Sequence, residues 1–463
     1  MHITLYGAAG DVTGSAYHVQ SGRASLLVDF GLYQGTQMAD AQNRIPKAIG
    51  PRRLDAVLLT HGHLDHVGRL PLLAQQRYTG PVFCTQATRE MAGLVLKDSA
   101  KVQAHDIERI NRRRERAGQP SLDPLYSDAD VEAILGRFRS VAYRQPVEVA
   151  PGIAARWVEA GHMLGSASIE LTVEEGGQRR VVLFSGDLGP WGAPILRDAE
   201  PVSRADLVFL ESTYGDRDHR PLPETVTEFQ DIIRKVLGQR GKILVPTFAI
   251  GRTQQILYHL AVSFREGALP KFPVYLDSPM AVEASRIYLE HPELMDEEVQ
   301  ALQRVHSILQ DLDSVRATAS PEESQALNKV DGPCLIMAGS GMCNGGRILH
   351  HLKYNLWRPE TAVLIVGYQS AGTLGRQLVE GRKTVKIFGE PIAVKASVHT
   401  LGGFSAHAGQ TDLLRWFGAM AASRPRVVLC HGEDQARQAL AAKLREQYQV
   451  EAELAALGEP VTL

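Results

Sequence analysis

Short β-branched apolar runs broken by glycine open the chain: HITLYG, SAYHVQ, ASLLVDFG and DAVLLTH, a pattern that predicts consecutive strands of one sheet. From about Glu90 to Arg139 apolar residues recur three and four apart, which predicts helix, with the polar turn AGQPSLDP around Pro120 dividing it. Strands resume in ARWVEAGH, SIELTV, VVLFSGDLG and DLVFLEST. Beyond Glu211 the layout changes. KILVPTFAIGRTQQIL, PCLIMAGSGMCNGGRILHHL and TAVLIVGYQSAGTLGRQL each run from an apolar strand through a small-residue loop and a Gly-Arg pair into a helix. Uninterrupted apolar strands alternating with helices predict a parallel sheet covered on both faces, whose ligands lie at the carboxyl ends of the strands. The chain then closes with HTLGGFSAHAG, a helix, the strand RVVLCHG, a helix and a last strand, returning to the texture of its opening.

Composition narrows the class. With 463 residues, 44% hydrophobic and 22% charged, the chain is an ordinary globular protein of two or three domains, not a disordered or fibrous one. Its formal charge of −2 provides no overall field to gather a polyanion, which by itself counts mildly against a nucleic-acid partner. The four cysteines form no CxxC pair and no disulfide framework. No apolar run approaches the ~20 residues of a membrane span, and the opening MHITLYGAAGDVTGSAYHV lacks the basic and apolar regions of a secretion signal. A cytoplasmic protein with no membrane partner is expected.

Local chemistry changes that picture. THGHLDHVGRLP, at the end of the strand DAVLLT, places His61, His63, Asp65 and His66 within six positions. Imidazoles and a carboxylate are the ligands preferred by zinc and its neighbours, and a strand-end loop aims alternate side chains at adjacent points. His162 in EAGHMLGSAS, Asp187 in FSGDLG and His431 in LCHGE sit at further strand ends. Together these residues suffice for two metals sharing a carboxylate.

With those residues the chain resembles the metallo-β-lactamase superfamily, where HxHxDH, a later His, a later Asp and a final His form a dinuclear zinc site. VFLESTYGD with Glu211, GGFSAHAG with His407 and LCHGE with His431 look like the motifs of its β-CASP nucleases. PTFAIGRTQ, YLDSPMA, GSGMCNGGR and HTLGGFSAHAGQ are similar to the bacterial and archaeal relatives of the endonuclease subunit of the cleavage and polyadenylation specificity factor. The resemblance implies an α/β fold: an αββα sandwich over 1–209 and 394–463, with a β-CASP domain built on a parallel sheet inserted at 210–393.

It also implies roles. His61, His63 and His162 would hold one zinc, Asp65, His66 and His431 the other, and Asp187 would bridge them; Mn2+ or Fe2+ suits the same ligands. Asp29 in LLVDFG would orient ligand loops without coordinating. The implied reaction is metal-dependent hydrolysis of single-stranded RNA, by internal cleavage or from a 5′ end. Asp65 and Asp187 would serve the water, while His407, oriented by Glu211, would protonate the leaving sugar oxygen. A homodimer is left open by the resemblance. Alternatives are a DNA-directed β-CASP nuclease, a small-molecule metallo-hydrolase and a non-catalytic scaffold; His431 at the last motif leans toward RNA.

The Gly-Arg pairs extend the reading. A glycine-rich loop entering a helix presents backbone N–H groups and the positive end of the helix dipole to phosphate. Arg347 is therefore expected to contact substrate, with Arg252 and Arg376 equally explained as surface residues paired with a helix carboxylate. Ser340 and Ser405 are candidate phosphate donors, with turn stabilisation as the competing reading, and His399 is a candidate substrate contact. RINRRRERAG, residues 109–118, reads as a solvated helix face or as a rim guiding RNA.

Overall fold

The opening apolar runs pair where glycine lets the chain turn, so His2–Leu5, Tyr17–Ser21, Ala24–Val28 and Ala56–Leu58 become neighbouring strands of one seven-stranded sheet. A second seven-stranded sheet lines up Ala452–Leu454, Arg426–Cys430, Leu207–Glu211, Gln178–Phe184, Ala167–Glu175, Ile153–Glu159 and Val147–Ala150. The computed structural model describes residues 1–22, 24–34, 39–305, 308–370 and 372–463. Both sheets belong to one compact unit, Met1–Trp191, Asp198–Asp218 and His407–Leu463. Ile3, Leu26 and Val28 of the first sheet share a core with Trp157, Ile169, Phe184 and Phe209 of the second. On the outer face of the second sheet, Leu183, Leu210 and Leu429 pack with Trp416, Phe417 and Leu440 of the helices Gln410–Gly418 and Asp434–Tyr448. Burying both faces of each sheet in this way produces the helix–sheet–sheet–helix layering.

The helix expected over 90–139 is two helices, Gln86–Arg116 and Asp128–Leu135. The buried residues of the first end at Ala100, so the basic run lies on its exposed second half. There Arg109 pairs with Asp106 and Arg112 with Glu108, while Arg113, Arg114 and Arg116 occupy the last turn, where cations complement the helix dipole. These local partners account for the run as a solvated helix face.

The other unit comprises Gly192–Arg197 and His219–Ala406. Its six strands stand in the order Val315–Ala317, Val274–Leu276, Cys334–Ala338, Lys242–Pro246, Ala362–Ile365, Ser397–Thr400, and every pairing is parallel. The limits differ from the expected 210 and 393 for a structural reason. Leu207–Glu211 hydrogen-bonds in parallel to Arg426–Cys430 within the two-sheet unit, whereas Ser397–Thr400 completes the edge of the parallel sheet beside Ala362–Ile365. An antiparallel hairpin, Thr384–Ile387 with Glu390–Ala393, accompanies that sheet. All four cysteines are free and buried, and no helix among the described residues is long and apolar enough to cross a membrane.

Candidate metal centre

Strands Ile153–Glu159, Gln178–Phe184, Leu207–Glu211 and Arg426–Cys430 run in one direction, which brings their carboxyl ends to one edge of the second sheet. His162, Asp187, Glu211 and His431 stand at those ends. His61 and His63 follow the strand Ala56–Leu58, and Asp65 and His66 lie in the one-turn helix Leu64–Val67. His407 precedes the helix Gln410–Gly418. Two positions are held in the left-handed region despite carrying side chains, Asp29 at φ 56° and His431 at φ 46°, a strain that concentrates at functional sites. Gly31 is required by close approach: a Cβ there would lie 1.5 Å from the carbonyl oxygen of Asp65.

The side chains converge on two adjacent points. At the first, His61 Nε2 and His162 Nε2 lie 3.5 and 3.6 Å from Asp187 Oδ2, and His63 Nδ1 lies 3.0 Å from His162 Nε2. At the second, His66 Nε2 is 3.4 Å from Asp187 Oδ1 and His431 Nε2 is 3.6 Å from Asp65 Oδ2. Asp187 belongs to both groups, and the donor atoms within each group lie no more than 4.8 Å apart.

The donors fit cations by two measures. His61 Nε2 and Asp187 Oδ1, both facing these points, are buried with no hydrogen-bond partner, and leaving such atoms unpaired costs about 1–3 kcal/mol each. The electrostatics suit ligation at His61, His63 and Asp187, whereas at His66 and His431, both raised, a cation would have to displace a proton. Burial, with His66 adding to it, pulls His61 well below the ordinary imidazole value, and burial brings His63 down to about 4. Burial acts the same way on His66, yet Asp187 and Asp29 outweigh it and hold that imidazole well above its ordinary value. Burial disfavours ionised Asp187, but His431, His66 and His61 keep its carboxyl well below the usual range. Neutral imidazoles and ionised carboxylates are the states in which these groups ligate metal.

Support comes from hydroxyls and carboxylates around the donors. Asp29 Oδ2 accepts from Thr60 Oγ1 at 2.7 Å and lies 2.8 Å from His66 Nδ1, while its Oδ1 accepts the Thr60 N–H at 2.8 Å. Thr60 Oγ1 also touches His61 Nδ1 at 3.0 Å, and Thr213 Oγ1 lies 3.1 Å from His431 Nδ1. His407 Nδ1 is 3.3 Å from Glu211 Oε1 and 4.0 Å from Asp187 Oδ2. Glu211 is itself fixed, accepting N–H bonds from Leu188 at 2.9 Å and Thr213 at 3.0 Å. Thr60 and Thr213 escaped the sequence reading, although each stands beside a candidate, Thr60 directly before HGHLDH and Thr213 two residues after Glu211.

A model of the metallo-beta-lactamase superfamily matches residues 9–247. The chain belongs to that superfamily. As a metallo-beta-lactamase superfamily member it also matches a Beta-Casp domain over 253–378 and a Zn-dependent metallo-hydrolase RNA specificity domain over 391–455. It is 42% identical over 467 residues to Ribonuclease TTHA0252 of Thermus thermophilus, covering 100% of both chains. It is 30% identical over 468 residues to the transcription termination factor FttA of Pyrococcus abyssi, covering 97% of this chain and 69% of that one. A protein of unknown function from Enterococcus faecalis V583 shares the fold, with TM-score 0.52 and 14% identity over 100% of this chain and 99% of that chain. A metal cofactor is common to this superfamily's matched domains and suits the buried His/Asp cluster.

The expected substrate contacts of this metallo-beta-lactamase superfamily chain belong to the parallel-sheet unit, and there the structure alters the reading. Arg347 opens the helix Arg347–Asn355 as predicted, but its Nη1 donates to Asp277 at 2.7 Å. Arg252 is buried, bonded to Gln255 and the Phe404 carbonyl, which a surface pairing does not describe. Arg376 pairs with Glu380 at 2.8 Å on an exposed helix face. Ser340 Oγ accepts from the N–H groups of Asn344 and Gly345 at 3.0 and 3.2 Å, stabilising its own loop. Ser405 is buried behind the turn Gly402–Phe404, and half-buried His399 pairs with Leu364 in the sheet. These hydrogen bonds account for Arg347 and Ser340 without substrate.

Proposed function

We propose that the protein is a ribonuclease that hydrolyses phosphodiester bonds of single-stranded RNA with two zinc ions, cutting internally, in the cytoplasm. The observation that carries this reading is the pair of donor groups sharing Asp187, with His407 and Glu211 beside them. The full-length likeness to a protein named ribonuclease directs the choice of substrate.

His61, His63, His162 and Asp187 would hold one ion, and Asp65, His66, Asp187 and His431 the other. When bound, divalent cations supply Lewis-acid stabilisation of charge on a phosphoryl group and acidify water. Asp65, with 24% of its side chain exposed, is the carboxylate of the cluster nearest to solvent and accepts the proton of the attacking water. As the new P–O bond forms, the bond to the 3′ oxygen breaks. His407 donates the proton that the leaving oxygen requires, and Glu211 keeps the imidazole ring oriented through Nδ1. The products carry a 5′-phosphate and a 3′-hydroxyl.

In the parallel-sheet unit, Phe248 supports a substrate path. It stands after the strand Lys242–Pro246, 37% exposed, and a Cβ on Gly341 would fall 2.6 Å from its ring. Its ring is thus seated on a glycine loop at the carboxyl end of the sheet, where open α/β sheets bind ligands.

Digestion of one RNA labelled at either end, with 5′-hydroxyl or 5′-monophosphate, against a matched DNA tests this reading. Metal-dependent cleavage of RNA alone is expected, with internal products from both forms. Equal turnover of DNA, or no cleavage by the zinc-loaded protein, would overturn it.

A further inference from the structure

The chain is sparing with aromatics, yet it leaves several in water on one face. Among the described residues, strongly exposed Phe, Tyr and Trp side chains are Phe248, Tyr354, Trp357 and Phe388, at 37%, 49%, 49% and 48%. All but Phe248 stand on the helix Arg347–Asn355, just beyond its end, or on the hairpin turn beside it. The hairpin lies along the helix. At one end the ring of Phe388 is 4.8 Å from that of His350, and Lys353 Nζ reaches Glu390 at 2.7 Å. At the other, the N–H groups of Lys395 and Ala396 donate to the Leu356 carbonyl at 2.8 and 2.9 Å. His350 and Tyr354, four residues apart, share a helix face, and a rise of ~1.5 Å per residue sets His350 and Trp357 about 10 Å apart along the axis.

The hairpin beside that helix and its flanks are basic. In Thr384–Ile387 the apolar Val385 and Ile387 turn inward, which leaves Lys386 outward. Arg382, Lys383 and Lys395 are exposed beside it, and no acidic side chain ion-pairs with these four cations among the described residues. In a chain of net charge −2 this is a local concentration of positive charge. Lysines are depleted from protein–protein interfaces, whereas aromatics interleaved with cations are the composition of surfaces that bind single strands.

Building on the RNA reading above, we propose that this face is a second contact surface for single-stranded RNA, outside the metal centre. Bases stack on Phe388, Tyr354 and Trp357, and the unpaired cations neutralise the phosphates between them.

The test is equilibrium binding of a labelled single-stranded RNA to the zinc-loaded full chain, in a His407→Ala background so that cleavage is slow. Replacing the three aromatics together by Ala is expected to weaken binding at least tenfold. A separate variant with Arg382, Lys383, Lys386 and Lys395 changed to Gln is expected to flatten the slope of log affinity against log salt by roughly 0.7 per cation removed. Unfolding midpoints check that both variants fold, and the charge variant alters only exposed side chains. If the unvaried protein binds RNA and both variants bind with equal affinity and slope, the second surface is overturned while the RNA reading stands. If the unvaried protein binds no RNA, both fall. Loss of a dimer in sedimentation with RNA affinity unchanged assigns the face to a second copy and also overturns the proposal.

Discussion

Two buried clusters of histidine and carboxylate, one in each unit, behave in opposite ways. Around Asp187, buried imidazole and carboxylate atoms lack hydrogen-bond partners. Around Asp277 every valence is used. Its carboxylate accepts from Ser324 Oγ at 2.6 Å, Arg347 Nη1 at 2.7 Å and Thr318 Oγ1, and lies 2.6 Å from His351 Nε2. His351 Nδ1 in turn meets Asn328 Oδ1 at 3.1 Å. Both clusters bury a charge, which is costly unless that charge is paired. The closed one is complete within the protein and ties the start of the Arg347–Asn355 helix to the strand end before Asp277. The other would be completed by a cation: what sets it apart is that unpaired buried atoms of His61 and Asp187 converge with further histidines and a carboxylate on adjacent points.

The sharpest way to break this contrast is to remove one carboxylate from each side. Asp187→Ala takes a donor from both metal groups, so metal content and RNA turnover should fall together below detection; retention of both would sink the assignment. His407→Ala should instead keep the metal and slow turnover by ~10²–10⁴, as read by metal analysis beside single-turnover rates. Asp277→Asn should leave metal content unchanged and reduce stability by about 3–5 kcal/mol, the cost of breaking a buried ion pair from one side. Acid supplies a second reading of the same residue. Burial opposes ionisation of Asp277, but hydrogen bonds from His351, Ser324, Thr318 and Arg347 outweigh it and depress its pKa in the folded state. A depressed carboxyl contributes stability above its unfolded value of ~3.9 and loses it as pH falls toward the folded value. Wild-type stability in urea should therefore fall toward that of Asp277→Asn below about pH 4, and a difference that stays constant with pH would refute the pairing.

What the sequence made legible follows the same division. HGHLDH, His162, Asp187 and His431 were readable because ligand types at strand ends have few other uses, and the sheet brings those ends to one edge. The parallel sheet was readable from apolar strands such as Cys334–Ala338, whose five residues are all buried. The pairing of Arg347 with Asp277 was not legible, because a Gly-Arg pair at a helix start looks the same whether phosphate or a carboxylate lies beside it. The partner lies 70 positions away in the chain and only packing brings it there. The edge strand Ser397–Thr400 was misplaced for a related reason, since strand pairing across the sheet leaves no mark on four residues with an exposed pattern.

A smaller effect sharpens the open side of the contrast. Asp29→Asn keeps a residue type that tolerates φ 56° and preserves the acceptor for Thr60, while removing the charge beside His66. Metal affinity should weaken by about 10–100-fold, as for other partners of ligating histidines. Titration of the metal-free protein with zinc gives the number, and an unchanged affinity would reduce Asp29 to a turn residue.

The smallest effect belongs to Arg376, the exposed member of the Gly-Arg set. Its pair with Glu380 spans one helical turn with both side chains more than two-fifths exposed, 42% and 46%. Such pairs contribute about 0.3–0.5 kcal/mol and are weakened by salt. Arg376→Ala should therefore shift the urea midpoint barely and leave RNA affinity and its salt slope unchanged. If the slope instead flattens by roughly 0.7, Arg376 neutralises a phosphate. The Glu380 contact would then be a resting partner that substrate displaces, and the contrast between closed and open clusters would have to be applied to exposed pairs as well.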